Sequence, residues 1–201
     1  MASPYTIESI INRALFSIGY PTPIGGVYDG SNAALVALSH WGETRDALLY
    51  ELKPTWAHKD AALVLSKSAP NINNGFADYT GITWSDTYPS VPWLYEYTWP
   101  ADCIRPMQVK SPPGFVPIWR PRSKPFLSIF DPTSSTHAIL TNQDGAILNY
   151  ISSIIDPNDW YADFVELMIQ AMAKKLEPEF GKKPPPQQQQ GGQQGASNAA
   201  G

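Results

Sequence analysis

Residues 95–105 read YEYTWPADCIR, and this stretch decides how the middle of the chain folds. Its large aromatic side chains alternate with polar ones at a period of two, which is the pattern of a half-buried β-strand. Pro100 ends the predicted strand, because proline cannot donate to the hydrogen-bond ladder of a sheet. A tight polar turn follows and is predicted to end at Arg105. The stretch carries no metal-ligand spacing, nucleophile–base pair or phosphate loop, so it predicts a scaffold element.

Two amphipathic helices are predicted N-terminal to this stretch. Thr6 can cap the first helix, which ends at Gly19, and Ser31 can cap the second, which runs to Lys53. A loop rich in proline and glycine joins them. We therefore expect the two helices to pack as an antiparallel pair.

A third helix is predicted near the C-terminus. Asn158 or Asp156 can cap it, an apolar stripe begins at Trp160, and the helix is expected to end before Pro178. No helical pattern lies next to it in the sequence. It should therefore pack on the two N-terminal helices.

Between the second and third helices the chain is rich in proline, which predicts short and interrupted strands. The turn at 142–145 reads NQDG, and its Asp-Gly pair favours the positive φ of a hairpin turn. We expect the two strands on either side of this turn to pair. Candidate strands cover residues 94–99, 108–110, 116–120, 127–130, 137–141 and 146–151.

Together these patterns predict an α+β fold, a helical bundle of three main helices with an inserted proline-rich antiparallel β subdomain and an extended C-terminal tail. The predicted boundaries place the N-terminal part of the bundle at 1–58 and the β-rich insertion at 59–155. The C-terminal helix follows at 156–181, and a Pro/Gln/Gly-rich tail occupies 182–201.

The composition is poor in charge and rich in aromatic residues. Charged residues make up 16% of the chain, against about a quarter in typical soluble domains. Interfaces favour tryptophan and tyrosine, so either a surface covered by partners or a tryptophan-rich core explains the pattern. The formal net charge of −4 argues against a protein that grips nucleic acid, because such proteins carry a basic patch. If this protein meets DNA, we expect it to let the DNA pass without binding it tightly.

Membrane and secretion signals are missing from the sequence. Glu8, Asn12 and Arg13 interrupt the apolar run near the start, so it does not form a secretory signal pattern. No stretch approaches the roughly 18 apolar residues that a membrane span needs. We expect folding in the cytoplasm and no membrane partner.

Few residues are candidates for catalysis or metal binding. Cys103 and His137 could form a thiolate–imidazole pair, but nothing brings them together, so a buried structural thiol is favoured. The lone cysteine excludes an intramolecular disulfide framework, and the histidines share no ligand spacing. Glu96 and Asp102 come nearest to a catalytic carboxylate pair, although a strand and a turn separate them. We assign no catalytic, cofactor-binding or metal-binding residue, and we expect no cofactor and no enzymatic activity.

The order of these parts resembles the head-to-tail adaptor proteins of short-tailed bacteriophages, also called tail tubular protein A-like or gatekeeper proteins. The resemblance runs over roughly residues 5–177, and its two specific pieces are the stretch 95–105 and the segment 150–160. It implies a structural role for Tyr95, Tyr97, Trp99, Pro100, Asp102, Cys103, Arg105, Tyr150, Asp156 and Trp160.

The resemblance implies a virion protein at the head–tail interface, assembled in the host cytoplasm. Such adaptors form a ring, usually of twelve copies, beneath the portal protein, and they offer a docking platform to the tail nozzle or tail tube. Double-stranded DNA passes through the lumen without specific binding. The helical part tends to form the ring wall and meet the portal, and the sheet part tends to face the tail. A subunit of such a ring needs two different adhesive flanks, because ring contacts are heterologous.

The C-terminal end departs from that family. Relatives continue with another helix, whereas Pro178, Gly181 and the prolines that follow stop helix formation here. The tail has too little apolar surface to offset its ordering entropy and should be flexible alone. Our hypothesis is that it wedges as an extended segment between portal subunits. The portal-binding residues would be Lys182, Lys183, Pro184, Pro185, Pro186, Gln187, Gln188, Gln189 and Gln190.

Two other functions stay open from the sequence. One is a virion-associated cell-wall-degrading (muralytic) enzyme, which would use Glu96 and Asp102 as its carboxylates. The other is an unrelated phage head- or tail-completion protein with the same mixture of helices and strands.

Overall fold

The computed structural model describes residues 5–73, 77–78, 80, 87–112 and 123–181. Within this part of the chain the fold is mixed α+β, with three α-helices and two four-stranded antiparallel sheets. The general fold class predicted from the sequence is therefore confirmed. The predicted strand 116–120 and the tail 182–201 lie outside the described residues.

The first two helices begin at the predicted caps. Helix α1 spans Ile7–Ser17, and the Thr6 hydroxyl accepts a hydrogen bond from the Ser9 amide at 3.2 Å. Helix α2 spans Asn32–Leu52, and the Ser31 hydroxyl accepts from the Ala34 amide, also at 3.2 Å. In both cases a side-chain oxygen satisfies one of the amides that a helix start leaves without a partner.

Helix α3 spans Ala162–Phe180, so the prediction that it ends before Pro178 is wrong. Pro178 sits in the last turn of the helix. The Phe180 ring packs edge-on against Tyr20, with centroids 5.2 Å apart, and this tertiary contact holds the final turn in place.

Helix α3 is the common neighbour of the other two helices. Both α1 and α2 pack on it, and one apolar core contains buried side chains from all three. The expected packing of α3 on the N-terminal helices is confirmed. The expected antiparallel pairing of α1 with α2 is wrong, because the two helices make few contacts with each other. Alanines at the start of α2 contribute to this shared core, where small side chains allow close approach.

Eight strands occur in the described part of the chain. In chain order they are β1 (His58–Ala62), β2 (Leu65–Ser68), β3 (Tyr95–Thr98), β4 (Cys103–Lys110), β5 (Ser123–Lys124), β6 (Phe126–Asp131), β7 (Thr136–Thr141) and β8 (Ile147–Ser152). The first sheet has the order β1-β8-β4-β5, and the second has the order β2-β3-β7-β6.

The turn at 142–145 does not close a hairpin. Gly145 has a φ of +57°, as the Asp-Gly signal predicts, but β7 and β8 belong to different sheets. The chain crosses there from one sheet to the other. The hairpin of this region is instead β6–β7, whose register pairs Asp131 with Thr136.

Strand β4 is longer than the sequence predicts. The turn after Pro100 ends at Asp102, and β4 then runs from Cys103 to Lys110 in place of the predicted 108–110. Pro106 lies inside it, at a shift in the register with β8, which is where a sheet tolerates a proline. Strands β1 and β2 were also missed by the sequence interpretation.

The first sheet separates two apolar cores. From β8, Ile151 is buried among the helices, whereas Leu148 and Tyr150 are buried in a second core together with Tyr97 and Ile139 of the second sheet. The layers are therefore helices, first sheet and second sheet. No helix in the described ranges is both long and apolar enough to cross a membrane.

Candidate functional site

A hydrogen-bonded carboxylate joins the two segments on which the resemblance rests. Asp102 lies in the turn between β3 and β4, and it accepts from the Tyr150 hydroxyl at 2.8 Å and from the Lys59 ammonium at 2.6 Å. The register explains this meeting, because Lys59 of β1 lies opposite Tyr150 of β8, and β8 also pairs with β4. The sequence named Asp102 and Tyr150 separately, and the fold places them in direct contact.

The ionisation of this group is fixed by its neighbours. Burial raises the pKa of the Asp102 carboxyl, but the hydrogen bonds from Lys59 and Tyr150 outweigh burial and hold that pKa below its usual value. Burial, followed by the hydrogen bond to Asp102, raises the pKa of Tyr150 to about 12. At neutral pH the turn therefore holds an ionised carboxylate that accepts from a neutral phenol and an ammonium.

Trp99 and Cys103 close the same turn from its other side. The Trp99 indole N–H donates to the Cys103 carbonyl at 2.9 Å, and the Cys103 amide donates to the Pro100 carbonyl at 3.0 Å. Burial raises the pKa of the Cys103 thiol to about 12, so the thiol is protonated at neutral pH. The His137 ring lies 5.3 Å from the Trp99 ring, between centroids. This arrangement holds a structural thiol, as the sequence favoured.

Arg105 connects the first sheet to the helices. Its guanidinium donates to the Tyr50 carbonyl of α2 at 3.1 Å and lies over the Tyr50 ring, 4.4 Å from the centroid. A hydrogen bond and a cation–π contact therefore act on the same pair of residues, and such contacts tie two elements together in a defined orientation.

The second segment of the resemblance forms the entry to α3. Asp156 accepts from the Asn158 amide at 2.9 Å and caps a short 3-10 helix. The prediction that Asn158 or Asp156 caps α3 is therefore wrong, because Tyr161 occupies the N-cap of α3 and makes no capping hydrogen bond through its side chain. Trp160 is 4% exposed, stacks on Trp41 of α2 with centroids 5.8 Å apart, and donates to the Ile154 carbonyl at 3.0 Å. Trp41 and Trp160 therefore belong to the core, one of the two explanations the composition left open.

The aromatic face of β3 behaves as predicted and the polar face does not. Tyr97 is buried and its hydroxyl donates to the Gln143 carbonyl at 2.9 Å, while the Tyr95 ring lies 6.2 Å from the Tyr97 ring. Glu96, which alternation places on an open face, is only 3% exposed. The second sheet thus buries a carboxylate.

Glu96 belongs to a buried ionic cluster that the sequence did not reveal. The Lys67 ammonium lies 3.0 Å from the Glu96 carboxylate and 2.9 Å from the Asp131 carboxylate, and none of the three side chains is more than 15% exposed. Asp131 also accepts from the Thr133 amide at 3.0 Å and the Ser134 hydroxyl at 2.9 Å. We name these three residues, Lys67, Glu96 and Asp131, the buried ion triad.

The electrostatics of the buried ion triad favour its charged state. The hydrogen bond from Lys67 holds the pKa of Asp131 well below its usual range, although burial opposes this shift. Burial lowers the pKa of Lys67, but hydrogen bonds to Asp131 and Glu96 outweigh burial and leave it raised. The triad borders an open cavity of about 370 Å³. The one sequence signal was Asp-Pro at 131–132, which marks a turn but not a partner.

Each member of the carboxylate pair weighed for a muralytic enzyme has a lysine partner of its own. Glu96 is bound by Lys67 and Asp102 by Lys59, so each carboxylate is neutralised by its own lysine. A glycosidase needs one carboxylic acid whose pKa is raised so that it can protonate the leaving group. Asp102 has its pKa shifted downward instead.

A cleft lined by aromatic side chains opens where α2, β4 and β6 meet. Its volume is about 530 Å³. Arg105 is the one formally charged residue among the described residues that line it. The aromatic lining comprises Tyr50, Trp99, Phe126, Phe130 and His137. We name this feature the Arg105 cleft.

No group of three or more His, Cys, Asp or Glu side chains in the described ranges is arranged to hold a metal ion. The predicted portal-binding residues 182–190 lie outside those ranges. Neither protein-family models nor curated proteins give a match to this chain.

Proposed function

We propose that this protein is a head-to-tail adaptor of a short-tailed bacteriophage, a structural virion protein that forms a ring beneath the portal. The observation that carries the proposal is the contact of Asp102 with Tyr150. Each residue comes from one of the two segments on which the resemblance rests, and together they fasten the turn after β3 to β8, an interior strand of the first sheet. A motif whose residues hold a turn and a strand together suits a protein with a structural role.

The subunit would be a helical bundle that carries the two sheets as an insertion. Arg105 and Ile151 couple the first sheet to the helices through a cation–π contact and a shared core. A rigid coupling of this kind lets force pass from a portal-facing helical end to a tail-facing sheet end. The acidic net charge of −4 would keep phosphates from being trapped in the channel.

Exposed apolar side chains supply surfaces for a ring and its neighbours. They are distributed over the loop before α2, α2 itself, the loops before β2 and β3, and the segment before α3, so more than one flank is adhesive. Side chains at least 60% exposed are Tyr28, Leu35, Val64, Val91, Ile155 and Tyr161. Two separate adhesive flanks are what heterologous ring contacts require.

The test is binding of the full chain to purified portal rings of its own phage, followed by mass measurement and electron microscopy. We expect an added ring of about twelve copies, with rotational closure as in other cyclic assemblies. Removal of residues 182–201 should weaken attachment, whereas removal of 191–201 alone, the matched control, should not. A chain that ignores portals and instead clears peptidoglycan in a zymogram would overturn the proposal.

A further inference from the structure

The loop before α2 is held in place by side-chain hydrogen bonds and carries a highly exposed tyrosine. Tyr28 is 88% exposed. The Asn12 side chain fixes the start of the loop, because it accepts from the Ile24 amide at 2.8 Å and donates to the Ile24 carbonyl at 3.2 Å. The loop is therefore tied to α1 by two hydrogen bonds, and an exposed aromatic on a tied loop loses little conformational entropy when it binds.

Asp29 braces the other end of this loop. Its carboxylate accepts from the Gly25 amide at 2.7 Å and from the Ser31 amide at 2.8 Å. Hydrogen bonds from Ser31 lower the pKa of Asp29, so it is ionised at neutral pH. Asp29 is also the one charged residue between Gly19 and Ser31 in the sequence. Since a carboxylate has about four acceptor positions, it can still accept from a further donor.

The Arg105 cleft offers the complementary surface. Its volume of about 530 Å³ falls within the range of about 300–1,000 Å³ that ligand-binding clefts show. Its lining is aromatic. Among the described residues that line it, Arg105 carries the one formal charge, which is positive. The cleft therefore suits an aromatic side chain next to an anion.

The loop and the cleft lie at opposite ends of α2. Tyr28 precedes the cap of the helix, and Tyr50, which lines the cleft, lies two residues before its end at Leu52. A helix of 21 residues is about 30 Å long at 1.5 Å per residue. The loop of one molecule is therefore out of reach of its own cleft.

We propose that Tyr28 and Asp29 of one copy insert into the Arg105 cleft of the next copy. This inference rests on the proposed ring, for which it names the contact between neighbours. The contact is heterologous, because the loop and the cleft are different surfaces, and a joined pair keeps a free loop at one end and a free cleft at the other. Such contacts propagate until the rotation closes them into a ring.

Complementation between two variants of the full chain tests the contact. Tyr28→Ala removes the inserted ring, and Ser128→Asp adds a negative charge to an exposed residue that lines the cleft, where it would repel an inserted Asp29. Each variant alone should lose self-association by about tenfold or more in Kd, as for the loss of an interface hot spot. Mixed together they should form a one-to-one dimer and nothing larger, because only one intact loop–cleft pair remains.

Sedimentation velocity over a concentration series reports these species. Phe16→Ala on α1, where the phenylalanine is 51% exposed, and Ser123→Asp on β5 are matched controls and should associate as the unmodified chain does. A photoreactive benzoylphenylalanine at position 28 should cross-link to peptides of β4 or β6 in a second copy. Raised salt should weaken association, since an Asp29–Arg105 pair contributes to it.

The inference is overturned if the unmodified chain gives neither association nor cross-links, or if Tyr28→Ala leaves association unchanged. Rings that persist on portals after Tyr28→Ala would reject this contact while leaving the adaptor function intact. Loss of portal attachment without loss of self-association would assign the loop to the portal and would also overturn the inference. Failure of every variant and of the unmodified chain to bind portals would instead count against the adaptor function.

Discussion

Replacing Lys67 by methionine tests the buried ion triad, because it removes the cation and leaves two carboxylates. Methionine keeps an unbranched side chain, so the change acts mainly on charge. The Glu96 and Asp131 oxygens lie 3.0 Å and 2.9 Å from the same lysine nitrogen, and both side chains are about nine-tenths buried or more. In Lys67→Met these oxygens would face each other without a counter-charge.

The expected cost at neutral pH is about 3 kcal/mol in the free energy of unfolding. Removing one partner of a buried ion pair costs about 3–5 kcal/mol, because the remaining charge stays desolvated. The cavity of about 370 Å³ beside the triad can admit water, which solvates the carboxylates in part. We therefore take the lower end of the range.

The variant should respond to pH with the opposite sign from the unmodified protein. In the unmodified protein the pKa of Asp131 lies below its unfolded value, so its contribution is present above about pH 4 and is lost as the pH falls further. In Lys67→Met the unpaired carboxylates acquire a raised pKa, and the folded state binds more protons than the unfolded state. Its stability should therefore increase as the pH falls from about 7 to about 4.

Urea unfolding followed by tryptophan fluorescence at about pH 7, 5.5 and 4 measures both effects. Lys59→Met is the matched control, because the Lys59 side chain is 53% exposed and also binds a carboxylate. It should cost far less and show no inversion with pH, as expected for an exposed ion pair. A loss below about 1 kcal/mol for Lys67→Met, or a larger loss at the acidic end, would refute the assignment of a buried, charged triad.

Four further substitutions probe the contacts that hold the helices and sheets together, by the same unfolding measurement. Trp160→Ala should lower the free energy of unfolding by about 3–5 kcal/mol, and Trp99→Ala should cost clearly less, because Trp99 is half-buried; equal losses would contradict this ranking. Tyr150→Phe removes one hydrogen bond and should cost about 1 kcal/mol, and no change would mean that the hydroxyl contributes nothing to the turn. Arg105→Lys gives up the planar contact with Tyr50 and should cost about 0.5–1 kcal/mol, whereas a stabilised variant would argue against a cation–π contact.

The starts of α1 and α2 were predictable because their signals are local. Thr6 and Ser31 each cap a helix through a side chain that bonds three residues ahead, which a single sequence reveals. The end of α3 was not predictable, because Phe180 is held by Tyr20, a residue distant in sequence. The packing of α3 on α1 and α2 was predicted, because no helical pattern lies next to α3 in the sequence. The expected pairing of α1 with α2 was wrong, since each of these helices packs on α3 instead.

The predicted strand pairing was wrong where it was inferred from a local turn signal, because strand partners are set by contacts between distant parts of the sequence. The Asp-Gly pair set the backbone of Gly145, but a turn fixes only where the chain reverses, and β7 paired with β3 and β6. The buried ion triad was invisible because its members come from β2, β3 and β6. Alternation predicted an exposed Glu96, and only the pairing of β2 with β3 brings Lys67 next to it.

The ionisable groups with shifted pKa values are held in the charge state that their surroundings favour. Among the described residues every shifted pKa moves away from neutrality, downward for carboxyl groups and upward for lysine, tyrosine and cysteine. Asp102 and Asp131 remain carboxylates near neutral pH, and Tyr150 and Cys103 remain protonated. The hydrogen bonds from Tyr150 and Lys59 to Asp102, and from Lys67 to Asp131, therefore do not depend on a group that titrates in that range.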